Sequence, residues 1–288
     1  MPTKIEKDAL SGRETTGHEW DGIRELNTPL PTWWLYVLYA TIVWGIALLV
    51  LYPAIPLWSS HTEGTLGYTT RGMLDAEIKA AQAKLAPTLD KIASLTPGEI
   101  RKDKDLLAVA LVDGRAAFAN NCAPCHGTAG SGRPGYPNLA DDTWLWGGTL
   151  DAIHQTITHG VRSADPDART SLMPNFGADN ILNPAQIQQV GDYVYALWSG
   201  KPAAADSPGT KVYAENCAAC HGEKGEGNRD LGAPPLAVAT HLYGNDRATI
   251  IQQITKPRHG VMPAWGARLD AATINSLTLY VHSLGGGE

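Results

Sequence analysis

Every cysteine of this chain lies in one of two copies of a single pattern, Cys122-Ala123-Pro124-Cys125-His126 and Cys217-Ala218-Ala219-Cys220-His221. Cys-x-x-Cys-His is the attachment signature of c-type haem. Two thiols three positions apart on an opening turn can form thioethers to the haem vinyl groups, and the adjoining histidine then falls beneath the iron as its proximal ligand. A zinc site built from two Cys-x-x-Cys pairs expects about 15–20 residues between them, whereas 91 intervene here. A thioredoxin-type pair belongs beside a strand in a βαβ unit, and the sequence shows none. The covalent cofactor expected is therefore two haem c, held by Cys122 and Cys125 and by Cys217 and Cys220.

The two motifs head two copies of a longer repeat. Asp113–Gly127 aligns with Pro208–Gly222 at an offset of 95. Ile187, Val190, Tyr193, Val194 and Leu197 align with Ile274, Leu277, Tyr280, Val281 and Leu284 at an offset of 87. Each half opens on an amphipathic helix, passes through a Gly/Pro-rich middle and closes on another helix. Alternating apolar patterns are scarce, so both halves read as all-α units wrapped around a large apolar ligand. The expected domains are residues 106–200 and 207–288, joined by a linker at 201–206 within Gly200–Pro208. Gly127, Gly130 and Gly132, with counterparts Gly222, Gly225 and Gly227, supply the tight turns beneath the haems.

The sixth iron ligands follow by elimination. Of four methionines, Met1 is the initiator and Met73 lies outside the repeats; the others stand in Leu172-Met173-Pro174 and Val261-Met262-Pro263. Each follows its motif histidine, by 47 and 41 residues, and the proline after it keeps the backbone extended. A thioether ligand favours reduced iron. The expected pairs are His126 with Met173 and His221 with Met262, each inside its own repeat, since each repeat holds one of each ligand in the same order. Methionines exchanged between the halves are the alternative. His159 and His259 occupy matching places before the methionine loops, and His259 is the rival ligand. His154, His241 and His282 read as surface or structural residues.

Between Glu25 and Glu63 there is no Asp, Glu, Lys or Arg, and Trp33–Tyr52 is a 20-residue apolar run. About 20 such residues span a bilayer as a helix. Trp33, Trp34, Tyr52 and Trp58 suit the two interfaces, and Pro53 and Pro56 end the helix. With 32 residues ahead of it and no small-residue cleavage site behind it, this stretch reads as a retained anchor, not a signal peptide. It divides a tail (residues 1–32) from a spacer (53–105). The spacer carries a helical face at Leu74, Ile78, Leu85, Leu89 and Ile92, with a kink or two shorter helices expected at Pro87, and then Thr96-Pro97-Gly98-Glu99 in the form of a capping box.

A net charge of -6 and a pI near 5.8 exclude the basic footprint of a nucleic-acid binder. Residues 106–200 carry four Arg against eight Asp, and residues 207–288 carry seven charges of each sign. A basic or dipolar electron donor would be steered toward the more acidic first half.

The haem units resemble class I cytochrome c domains. The segment His18–Trp34 (HEWDGIRELNTPLPTWW), followed by one membrane helix, a spacer and two Cys-x-x-Cys-His units, is similar to the dihaem membrane-anchored subunit III of cbb3-type cytochrome c oxidases. That resemblance covers essentially the whole chain. It implies an all-α protein with one N-terminal transmembrane helix and two cytochrome c-like domains. It also implies electron transfer from a periplasmic cytochrome c or similar donor to a monohaem subunit, and then to the haem-copper catalytic subunit. Because haem is attached to Cys-x-x-Cys-His outside the bacterial inner membrane, the resemblance places the haem domains in the periplasm and the tail in the cytoplasm. With both axial positions filled, the chain transfers electrons without turning over a substrate. A free-standing anchored dihaem carrier and a haem-based sensor are the readings that compete.

Overall fold

The computed structural model describes residues 4–200, 206–238, 242–285 and 287–288. His241 and residues 201–205 of the expected linker therefore lie outside the described residues. Two compact units divide between Ala83 and Lys84.

The first unit holds a hairpin and the apolar helix. β1 (Thr15–Trp20) pairs antiparallel with β2 (Ile23–Leu26), with Trp20 opposite Ile23. Asp21 and Gly22 form the two-residue turn, both at positive φ, as a hairpin of right-handed twist requires. This two-stranded sheet adds a small β element to an otherwise helical protein. Thr32–Leu51 is α1, one residue displaced from the sequence expectation, with none of its residues buried. An uncharged 20-residue helix that buries nothing within its own fold is suited to lipid, not to water.

α2 (Thr70–Ser94) runs through Pro87 as one assigned helix and not as two. Only its last turns find a core. Leu74, Ile78 and Leu85 are exposed, while Ile92 is fully buried with Ile100, Leu106, Ala110, Ala272 and Leu279. The Asn275 amide donates to the carbonyls of Ile92 (2.8 Å) and Leu95 (3.0 Å) and fastens this end. α3 (Pro97–Ile100) begins at the expected capping box, with Thr96 and Glu99 bonding each other's backbone amides.

The second unit continues with α4 (Lys104–Asn121), α5 (Ala123–His126), α6 (Leu150–His159), α7 (Pro184–Trp198), α8 (Pro208–Asn216), α9 (Ala218–His221), α10 (Arg247–Thr255) and α11 (Ala271–Ser283). These helices start on side-chain caps at Asp103 (α4), Thr149 (α6), Asn183 (α7), Ser207 (α8), Asp246 (α10) and Asp270 (α11). Besides the core around Ile92, to which α4 and α11 contribute, they build two more, and these do not follow the two repeats. Opening helix α4 packs on α11, the closing helix of the second repeat, while α8 packs on α7, the closing helix of the first. One core gathers Phe118, Ile153, Ile157, Ile274, Leu277 and Val281 from α4, α6 and α11. The other gathers Ile187, Val190, Val194, Val212, Tyr213, Ile250 and Ile254 from α7, α8 and α10. One helical module is thus continuous in sequence, and it is inserted into the other, which is discontinuous. α7 packs on α8, the next helix in the chain, and α11 covers α4.

Candidate haem sites

Each Cys-x-x-Cys-His motif straddles the end of an opening helix. Cys122 caps α4 and Cys217 caps α8; α5 and α9 then carry the second cysteine and the histidine through one further turn. All four cysteines are free thiols. Burial pushes Cys122 and Cys217 up to about 11, so both are protonated at neutral pH. A thioether carries no charge and suits that burial. Among the described residues the one cluster of three metal-ligating side chains is His159, Asp165 and Asp167, which contains no cysteine.

The two histidines are held alike. Nδ1 of His126 lies 3.0 Å from the Pro137 carbonyl, and Nδ1 of His221 lies 2.9 Å from that of Pro234. A carbonyl only accepts, so Nδ1 carries the hydrogen and Nε2 presents its lone pair, the tautomer an iron ligand needs. Burial also lowers the pKa of both rings and keeps them neutral. The turns that deliver those carbonyls bring the Gly132 amide to the His126 carbonyl and the Gly227 amide to that of His221, each at 2.8 Å. All six motif glycines take positive φ, as expected.

The methionines pack across the two repeats. Met262 packs against the core that contains Phe118 and adjoins Cys122, while Met173 packs against the core that contains Cys217. Each methionine therefore shares a core with the motif of the other repeat, as the exchanged closing helices require. Leu172 and Val261, just ahead of the methionines, are exposed. The methionine loops also touch each other. Val161 and Met262 exchange two backbone hydrogen bonds of 3.0 Å, and the Met173 amide donates to Nε2 of His259 at 3.1 Å.

His259, the rival ligand, is thus engaged with the Met173 backbone. His159 faces Asp165, with Nδ1 to Oδ1 at 3.0 Å, His282 contacts the Glu288 carbonyl, and His154 is half-buried. Sequence reasoning overlooked Arg162, whose φ of 52° is unusual for a side chain of its size.

A neutral histidine with its iron-facing nitrogen free, two thiols beside it and a methionine in the same core form, twice over, a donor set fitted to haem c. Comparison with known proteins agrees. Residues 12–59 match the N-terminal domain of cytochrome oxidase-cbb3, FixP, and residues 109–194 and 204–281 match cytochrome c oxidase, cbb3-type, subunit III. The chain belongs to the cbb3-type oxidase subunit III family. The subunit CcoP of Azospirillum brasilense is 53% identical, over 98% of this chain and 99% of the relative. FixP of Azorhizobium caulinodans is 50% identical over 98% and 96%, and CcoP of Cereibacter sphaeroides 47% over the whole of both chains. As a member of this family the chain is a membrane-anchored cytochrome c subunit of the oxidase and binds haem c.

Proposed function

We propose that this subunit carries two haem c groups with crossed axial ligands: His126 with Met262 at the Cys122/Cys125 site, and His221 with Met173 at the Cys217/Cys220 site. The observation that carries this reading is the packing of each methionine in the core of the other repeat's motif. When bound, each haem supplies a one-electron Fe(III)/Fe(II) couple. The chain's own residues would anchor each haem through two cysteines, Cys122 and Cys125 or Cys217 and Cys220, would hold the histidine tautomer through the Pro137 or the Pro234 carbonyl, and would leave no iron position open to small ligands. The subunit then passes electrons from a periplasmic donor cytochrome to the monohaem and haem-copper subunits of the oxidase. α1 fixes it in the inner membrane, with the hairpin in the cytoplasm and the haem modules in the periplasm.

The pairing is tested in the purified oxidase. Cys125→Ala leaves one vinyl group unreacted and shifts the absorption band of that haem alone, which labels it. On this background Met262→His should abolish the far-red sulfur-to-iron band of the labelled haem and lower its potential, since imidazole stabilises ferric iron relative to thioether. Met173→His should act on the unlabelled haem. A labelled haem that responds to Met173→His instead would restore pairing within each repeat.

The orientation is tested by protease added to intact spheroplasts, which should degrade the haem modules and leave the tail. Protected haem modules would reverse it.

A further inference from the structure

One side chain touches both methionine loops. The guanidinium of Arg162 donates from Nε to the Gly260 carbonyl at 2.6 Å and from a terminal nitrogen to the Ser171 carbonyl at 3.1 Å. Gly260 stands two residues before Met262, and Ser171 stands two residues before Met173. The same cation therefore grips the two loops at equivalent points of the two repeats.

The backbone around Arg162 is built for this reach. Val161 is buried and pairs with Met262 on one side. The Arg162 amide donates to the Arg169 carbonyl at 2.8 Å, and the Arg169 amide returns to Gly160 at 3.1 Å. This loop holds Arg162 at positive φ, a conformation that costs free energy and persists only where neighbours impose it. Arg169 is fixed in turn by Thr156 at 2.9 Å and by the face of Trp146. The Met173 amide to His259 adds a second tie across the same seam.

We propose that Arg162 is a positioning residue shared by both haem sites, its one guanidinium locking the two methionine loops together so that the sixth ligand of each haem is set by the same side chain. Lysine cannot do this work. A planar fork spans two carbonyls in fixed geometry, whereas an ammonium on a flexible stem is a point charge. The inference rests on methionine ligation as proposed above. It does not depend on which methionine serves which haem, because the grip is the same on both loops.

The test uses the purified oxidase with Arg162→Gln and Arg162→Lys, read by redox titration, by the far-red band of each haem and by displacement of methionine with added imidazole. Covalent haem should be retained, since the thioethers lie elsewhere. Arg162→Gln should weaken the sulfur-to-iron band of both haems, lower both potentials and let imidazole in at both irons at lower concentration. Arg162→Lys should leave the bands weak and both irons open to imidazole. A change confined to one haem, wild-type behaviour in Arg162→Gln, or full restoration by lysine would each overturn the shared clamp. If Arg162→Gln fails to accumulate, the lysine variant alone decides: wild-type resistance to imidazole at both haems sinks the proposal, and joint loss supports it. Failure of the ligation reading is distinguishable, because Met173→His and Met262→His would then leave bands and potentials unchanged whatever Arg162 does.

Discussion

The ring of Phe118 on α4 lies 5.3 Å from the ring of Tyr280 on α11, although the two belong to different repeats. The equivalent pair, Tyr213 on α8 and Tyr193 on α7, lies at 4.8 Å. Each opening helix thus meets a closing helix through the same aromatic contact, and in both cases the partner comes from the other half of the chain. The same helix pairs also share a glycine. A Cβ at Gly114 would strike the backbone of Ser276, and one at Gly209 would strike that of Gln189. Absence of a side chain at these two places sets how closely the helices cross.

Gly114→Ala should therefore separate α4 from α11. Overpacking of this kind costs about 1–3 kcal/mol, and Phe118→Ala, which empties a fully buried position, should cost about 3–5 kcal/mol. Denaturation followed through haem absorption would show the haem attached to Cys122 and Cys125 losing its environment first. Equal stability of wild type and Gly114→Ala would mean that α11 does not sit on Gly114.

Much of this arrangement is legible in the sequence, and the exceptions have physical causes. The haem motifs, the apolar helix, the capping box at Thr96 and Glu99 and the repeat itself are local patterns, and local patterns survive folding. The exchange of closing helices is not local. Tyr193 and Tyr280 sit in nearly equivalent helices, so by sequence pattern either could cover Phe118, and only the long-range packing shows that Tyr280 does. A sum of charges over residues 106–200 and 207–288 consequently describes neither folded module, and the donor-steering expectation loses its footing. The hairpin was readable, since Trp20-Asp21-Gly22-Ile23 places an Asp-Gly turn between apolar residues. Arg162 left no sequence signal, because its partners are backbone carbonyls.

An ion pair between Asp192 on α7 and Arg247 on α10 ties the continuous module together. Hydrogen bonding to Arg247 holds the Asp192 carboxyl below its ordinary value of 3.8. The folded chain then binds that proton more weakly than the unfolded chain. The contribution is complete above 3.8 and disappears as pH falls through the lower folded value. Asp192→Asn should therefore lower the stability of this module slightly at every pH above 3.8, a small loss because exposed pairs contribute little, and the gap between the two proteins should close as pH falls below the folded value. A difference that stays constant or widens into acid would remove the pair from the account.

α1 buries nothing in its own unit, and its hold on the membrane rests on apolar side chains alone. An arginine near the centre of a membrane helix costs about 3 kcal/mol on insertion scales. Ile42→Arg with Ile46→Arg should move the chain from the membrane to the soluble fraction without covalent haem, since α1 is also the candidate span that would carry the chain to the side where haem is attached. Retention in washed membranes of cells lacking the other oxidase subunits would show that something besides α1 anchors it.

The Pro137 carbonyl at His126 Nδ1 offers a way to tune one haem without touching a ligand. Its position depends on the turn at Gly132, which has φ of 69° and where a Cβ would meet the Asn138 nitrogen and the Tyr136 carbonyl, both at 2.7 Å. Gly132→Ala should push that turn outward and lengthen the hydrogen bond from Nδ1. A hydrogen bond there makes the imidazole a stronger electron donor to the iron. Weakening it withdraws that donation, which favours the ferrous state, so the potential of the haem attached to Cys122 and Cys125 should rise. The other haem, whose His221 leans on Pro234 through the turn at Gly227, should stay where it is, and Gly227→Ala should produce the reverse pattern. Redox titration of both variants on the Cys125→Ala label separates the two haems. A fall in potential, or a shift at the wrong haem, would mean that the proline carbonyls do not govern these histidines.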